Sequence, residues 1–304
     1  MSNKTAANIE LWLENITNTY IPRGFAKSLR KQLIYPRYLL QLMASWNGFR
    51  LYGERYPNNI LFIVGIPKSG TTWLEEMLAA SPGFQSVMIP EMLIHEMLEG
   101  GSHNFELPKY IFDRFNKKLV VLKTHSHGST HNTSLLRNYD IRYVIMYRDL
   151  RDVAISYIHF VKQRPWHPEF SEYFHLSIQD GIRIFCEMKL HQYVHWIESW
   201  HNNRDPNISI VIRYEELISN TTKTFELVAT HYGIKHTKEE ISAIVKSFRF
   251  SNVPLREDQR RQVHFRKGIS GDWRNYFTPE LKNLYKEKIG KFLIEFNYEK
   301  DFSW

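Results

Sequence analysis

The chain has 304 residues, 43% of them hydrophobic and 14% aromatic, enough for one large α/β domain or two small ones around a buried core. A single cysteine, Cys186, excludes an internal disulfide framework, fits a reducing compartment and reads as a small apolar packing residue. The formal charge of +8 favours an anionic partner, which leaves nucleic acid, a membrane surface and a phosphorylated cofactor all open.

At the N-terminus, MSNKTAANIELWLENI lacks the charged-then-apolar pattern of an export signal, and no later run approaches the roughly 18 apolar residues of a membrane helix. A soluble, cytoplasmic chain is expected, in which the N-x-[S/T] triplets at Asn3, Asn15, Asn132, Asn207 and Asn220 are coincidental. No repeat, low-complexity tract or Pro/Gly/Ser linker interrupts the sequence, so residues 1–304 are read as one domain. Within it, 1–58 form a helical segment packed on a motif-bearing core at 59–277, and 278–304 supply a final helix and tail.

Apolar, strand-like runs occur at 60–64, 119–122, 142–147 and 208–212, each followed by a loop and then a helix-like stretch. The first helix, 71–80, ends at the breaker Ser81-Pro82-Gly83. In the second, 149–161, Leu150, Val153, Ala154, Tyr157 and Phe160 recur at helical spacing. Helical patterns also fill 177–200, 221–231 and 279–296. Strands alternating with helices predict a parallel sheet covered on both faces, with ligands at the carboxyl ends of its strands.

The loops at those ends hold the unusual residues. After the first strand comes PKSGTTW, where Gly65 and Gly70 have the spacing of a triphosphate-binding loop, yet Thr71 stands where that pattern has lysine. The lysine, Lys68, lies inside the turn. After the second strand comes KTHSHG; the third ends in YRDLRDVAISY; a late loop reads FRKGISGDWRNYFT.

In order and approximate spacing these blocks resemble those of the cytosolic sulfotransferases, which move a sulfuryl group from 3′-phosphoadenosine 5′-phosphosulfate (PAPS) to a hydroxyl or amine. The resemblance spans about 59–277. It implies a P-loop-type three-layer α/β fold, the class reached above from the strand and helix pattern, and a metal-independent in-line transfer. By the same resemblance Lys68 lies beside the oxygen bridging phosphorus and sulfur, and residues Ser69, Gly70, Thr71, Thr72 and Trp73 receive the 5′-phosphate at a helix N-terminus. Arg148 and Ser156 match the pair that holds the 3′-phosphate, with Arg266, Lys267 and Gly268 closing over it. Trp73, Tyr214 and Phe248 align with positions contacting adenine, although aromatics at such spacings also serve as core. His125 is the expected general base, and Lys123, two residues earlier on a strand end, shares its side and stabilises the sulfuryl oxygens. Arg151 is left as a charge on a solvated helix face.

His125, His127 and His131 spell H-x-H-x3-H, but no nearby Asp, Glu or Cys completes a zinc set, and no metal is expected. Several positions depart from the family pattern. Ser126, His127 and Gly128 replace the leucine and proline that usually follow K-T-H. Glu75 stands where a small polar residue is common. A C-terminal dimer motif is degraded to Arg274, Thr278, Pro279 and Asn283, so a monomer or a non-standard dimer is expected. The segment 89–101, in the family's acceptor lid, carries Glu91, Glu96 and Glu99, which favour a polar or cationic small-molecule acceptor if they face it; glutamates on a solvated helix are the plain alternative. Neither nucleic acid nor membrane is an expected partner. The competing readings are an ATP-dependent P-loop kinase, disfavoured by Thr71, and a basic nucleic-acid binder, suggested by the six basic and three acidic residues of 256–274.

Overall fold

The computed structural model describes residues 23–101, 103–165, 167–248 and 267–304. Five strands, β1 (Ile60–Gly65), β2 (Gln85–Ser86), β3 (Val120–Thr124), β4 (Tyr143–Tyr147) and β5 (Ser209–Arg213), form one sheet in the order β2-β3-β1-β4-β5. All its pairings are parallel. All six residues of β1 are buried, as a central parallel strand covered on both faces requires.

The pleat divides the strand side chains between two cores. Phe62, Val64, Val120, Leu122, Tyr143 and Ile145 enter one; Leu61, Ile63, Val121, Val144 and Met146 enter the other. The first is closed by α4 (Thr130–Asn138), α5 (Leu150–Lys162), α7 (Ile178–Met188), α8 (Leu190–Asn203) and α12 (Pro279–Glu295). On the opposite face lie α2 (Thr71–Ala79), α9 (Tyr214–Ser219), α10 (Thr221–His231) and α11 (Lys238–Ser247). This is the three-layer P-loop-type fold expected from the sequence. A long helix, α1 (Arg23–Tyr52), packs on the β2 edge and on α3 (Pro90–Glu99). A short turn of helix, α6 (Phe170–Tyr173), precedes α7.

Sequence periodicity missed β2, whose two residues are too few to show a period, and joined α7 to α8. The chain breaks between them at Lys189, whose ammonium pairs with Glu169. Cys186 is buried, and burial pushes its thiol up to about 12, which suits a packing residue. Among the described residues no helix is long and apolar enough to cross a membrane.

Candidate active site

Connections leave β1 toward one side of the sheet and β4 toward the other, so a crevice opens at their carboxyl ends. The β1–α2 loop at this point is tightly wound. Lys68 has φ 71° and Gly70 φ 86°, both left-handed, a conformation a lysine adopts only where its surroundings impose it. Glycine is required at 70, since a β-carbon there would lie 2.8 Å from Tyr214 Cδ2. The Ser69 hydroxyl and N–H both donate to the Ile66 carbonyl, at 2.7 and 3.3 Å, and the Trp73 N–H donates to the Gly70 carbonyl at 3.0 Å. Those two N–H groups are therefore used within the loop. Gly70, Thr71 and Thr72 open α2, where a helix has N–H groups without intrahelical acceptors, and they are the donors available to an anion. The Lys68 ammonium lies 4.2 Å from the centroid of the Phe160 ring on α5.

Arg148, just before α5, joins this loop to the late one. It is 6% exposed; Nη1 reaches the Lys68 carbonyl at 3.5 Å and Nη2 donates to the Ile269 carbonyl at 2.8 Å and to Asp152 Oδ2 at 3.2 Å. Its guanidinium carbon lies 4.1 Å from the Tyr214 ring centroid. Its Nε is buried without a hydrogen-bond partner among the described residues, the situation a bound anion would relieve. Asp152, fully buried, also accepts from the N–H groups of Gly271 (2.7 Å) and Trp273 (2.8 Å). Burial raises its carboxyl even against the Arg148 charge. Lys267 donates to Asp272 Oδ1 at 3.0 Å, and Gly268 is left-handed at φ 63°. Ser156 lies two turns beyond Arg148 along α5 and is half-buried. Arg266 and most of the basic 256–274 stretch lie outside the described residues.

Beside these residues, strand alternation persists past the end of β3: Thr124 and Ser126 are buried, whereas Lys123 and His125 are partly exposed on one side. Lys123 Nζ donates to Thr72 Oγ1 at 3.0 Å and lies 2.9 Å from Glu75 Oε2. Burial alone would lower this amine, but the Glu75 carboxylate outweighs it and holds the ammonium above its ordinary range. His125 Nδ1 lies 2.5 Å from the carbonyl of Gly65, the last residue of β1. A carbonyl only accepts, so Nδ1 carries the proton and Nε2 keeps its lone pair. Burial lowers the imidazole from its usual value and so favours the neutral form, an effect that Glu96 only partly offsets.

Of the residues that depart from the family pattern, Ser126 and Gly128 pack against α8. The Ser126 carbonyl accepts from the indoles of Trp196 (2.9 Å) and Trp200 (3.0 Å). A β-carbon at Gly128 would lie 2.8 Å from the Trp200 backbone, so this turn admits only glycine. His127 turns to Glu106 at 3.5 Å and His131 to the Leu107 carbonyl at 2.8 Å, so the three histidines of H-x-H-x3-H diverge. Of the lid glutamates, Glu91 pairs with Arg114 at 2.6 Å, Glu99 is exposed, and Glu96 alone is close enough for its charge to bear on His125 and Lys123. Trp73 is 2% exposed within the second core, and its indole donates to the Phe248 carbonyl at 3.0 Å.

One expectation is corrected. Arg151 is not on a solvated face: it is 1% exposed, bonded to Asp149 (2.7 Å) and Glu299 (2.5 Å) and flanked by the rings of Trp273 and Trp304 at 3.9 and 4.4 Å. Two carboxylates and two indoles compensate its burial, and none of them is near it in the helical pattern except Asp149. Sequence reasoning also missed Asp152, although its i,i+4 spacing from Arg148 was a usable signal. His103, likewise missed, packs on Tyr193 at 4.8 Å and is pushed down to about 3 by burial and then by the nearby His125. No local signal marked it.

The sulfotransferase domain model matches residues 58–296, and the chain belongs to that family. Flavonol 4′-sulfotransferase of Flaveria chlorifolia is 26% identical over 77% of this chain and 78% of that protein. Cytosolic sulfotransferase 5 of Arabidopsis thaliana is 24% identical over 75% and 79% respectively, and sulfotransferase 1B1 of the dog, Canis lupus familiaris, is 22% identical over 91% and 99%. Among solved structures, mouse sulfotransferase SULT7A1 complexed with PAP superposes with a TM-score of 0.60 at 21% identity, covering 81% of this chain and 94% of the other. Retinol dehydratase in complex with retinol and PAP gives 0.58 at 17% identity over 84% and 85%. These likenesses show the same fold.

Proposed function

We propose that the chain transfers a sulfuryl group from PAPS to a hydroxyl or amine of a small-molecule acceptor, without a metal. The observation that carries this reading is the bond from His125 Nδ1–H to the Gly65 carbonyl. It sets the Nδ1–H tautomer, leaving Nε2 as the basic nitrogen, at the root of the very loop that holds Lys68. Base and anion loop are thereby one unit.

In the proposed step the acceptor oxygen or nitrogen attacks sulfur and its proton passes to His125 Nε2. The bond from sulfur to the bridging oxygen breaks, and its electron pair stays on the departing 5′-phosphate. Lys68 and the N–H groups of Gly70, Thr71 and Thr72 meet that charge where it grows, while Lys123 faces the sulfuryl oxygens. Arg148, Ser156, Arg266, Lys267 and Gly268 hold the 3′-phosphate in this scheme, with adenine against Trp73, Tyr214 and Phe248. The buried, unpartnered Nε of Arg148 supports an anion there. Glu96 gives the acceptor side a carboxylate suited to a polar or cationic acceptor. A cytoplasmic location accords with the cytosolic naming of the Arabidopsis relatives.

The test is a donor assay on the purified chain across a panel of alcohols, phenols and amines. Sulfuryl transfer from PAPS in EDTA is the expected result. Transfer of the γ-phosphate of ATP with magnesium, and none from PAPS, would overturn the reading.

A further inference from the structure

Glu75 is an unusual residue to find inside an anion site. It stands on α2, one turn past the helix start, and is 8% exposed. The first turn of that helix offers its N–H groups to negative charge, so a bare carboxylate beside it would repel the ligand and be costly to bury. The structure shows how both penalties are met. One carboxylate oxygen accepts from the Ser86 hydroxyl on β2; the other lies 2.9 Å from Lys123 Nζ. The same ammonium donates to Thr72 Oγ1 at 3.0 Å.

Two acceptors on α2, three residues apart, thus hold a side chain that arrives from β3. A lysine stem has four rotatable carbons and would otherwise follow whatever anion enters the crevice. Resting on the sulfuryl-transfer reading, we propose that Glu75 is the positioning residue for Lys123, holding its ammonium beside Thr72 at the mouth of the phosphate loop before the transferring group arrives. Pre-placement of this kind matters to turnover rather than to ground-state binding, because the charge need not reorganise as the sulfur–oxygen bond stretches. It also gives a use to β2, a two-residue strand whose Ser86 fixes the far side of the carboxylate.

The carboxylates that bear on Lys123 are, largest effect first, Glu75, Glu96 and Glu76, so removing Glu75 leaves the two weaker influences. Glu75→Gln keeps the shape and removes the charge. Its kcat should fall at least tenfold while affinity for adenosine 3′,5′-bisphosphate, measured by calorimetry, stays within threefold or tightens. A merely structural residue would not give that split. In a Lys123→Ala background the same substitution should change kcat less than twofold, since nothing remains to be positioned. Should Glu75→Gln fail to fold, Glu75→Ser, the size common in the family, is put through the same measurements with the same expectation. A kcat within twofold of wild type, or a full effect in the Lys123→Ala background, overturns the proposal. If the wild type transfers no sulfuryl group, the functional reading fails on its own. The placement is then decided by NMR titration of the Lys123 amine, whose midpoint should fall in Glu75→Gln and whose constancy would contradict it.

Discussion

The two sides of the crevice are built differently. On the side proposed for the donor, two buried charges are tied to backbone from a distant part of the chain: Asp152 accepts from Gly271 and Trp273, and Arg148 spans from the Lys68 carbonyl to the Ile269 carbonyl. On the side proposed for the acceptor the polar groups mostly bond to near neighbours: Glu91 to Arg114, Glu106 to His127, Asn132 to the backbone of Phe105, Leu107 and His127. In the proposed reading the first side frames the donor, and the second shapes the acceptor lid and leaves His125 and Glu96, with His103, near the place of reaction.

If that contrast is right, the largest effect should come from the residue shared by both sides. His125→Ala should lower kcat by about 100-fold or more, within the usual range for a lost general base, with bisphosphate affinity nearly unchanged. Burial disfavours the charged imidazole, so the wild-type acid limb of the pH–rate profile should lie below the ordinary histidine value near 6.5. As the pH falls through that lowered value the base protonates and the rate is lost. A limb above it would contradict the assigned environment.

Next in size is a break in the frame itself. Asp152→Ala leaves the Arg148 guanidinium buried without its carboxylate and releases two loop N–H groups, at a cost of about 3 kcal/mol in chemical denaturation. No single polar residue of the acceptor lid should cost as much. Smaller effects fall on ligand binding. Arg148→Ala should weaken the bisphosphate by about 10-fold to 100-fold, as loss of a charged hydrogen-bonding group does. Lys267→Ala should cost only about threefold, because its side chain is 45% exposed and screened. Equal losses in the two variants would dissolve the distinction between buried clamp and exposed cover.

The contrast also explains what could be read from the amino-acid order. The wound β1–α2 loop was legible because the glycines and helix start of PKSGTTW are consecutive in sequence, whereas the one-turn spacing of Arg148 and Asp152 in RDLRD was a signal that went unread. Strands β1, β3, β4 and β5 were legible because burial on both faces makes continuous apolar runs. The fate of Arg151 was not, since its compensation comes from Glu299, Trp273 and Trp304, far along the chain. Nor were the contacts of the S-H-G that replaces the family's residues after K-T-H. The indoles of Trp196 and Trp200 on α8 bind the Ser126 carbonyl, and the Trp200 backbone excludes any side chain at 128. Long-range packing of this kind has no local signature.

Titration calorimetry of the purified chain with adenosine 3′,5′-bisphosphate tests the proposed anion site most directly. Saturable binding at one site per chain, insensitive to EDTA and weakened in Arg148→Ala, is the predicted result. No heat at millimolar nucleotide, from protein shown by its circular dichroism to be folded, would contradict the assignment of the β1–α2 loop and Arg148 to the donor.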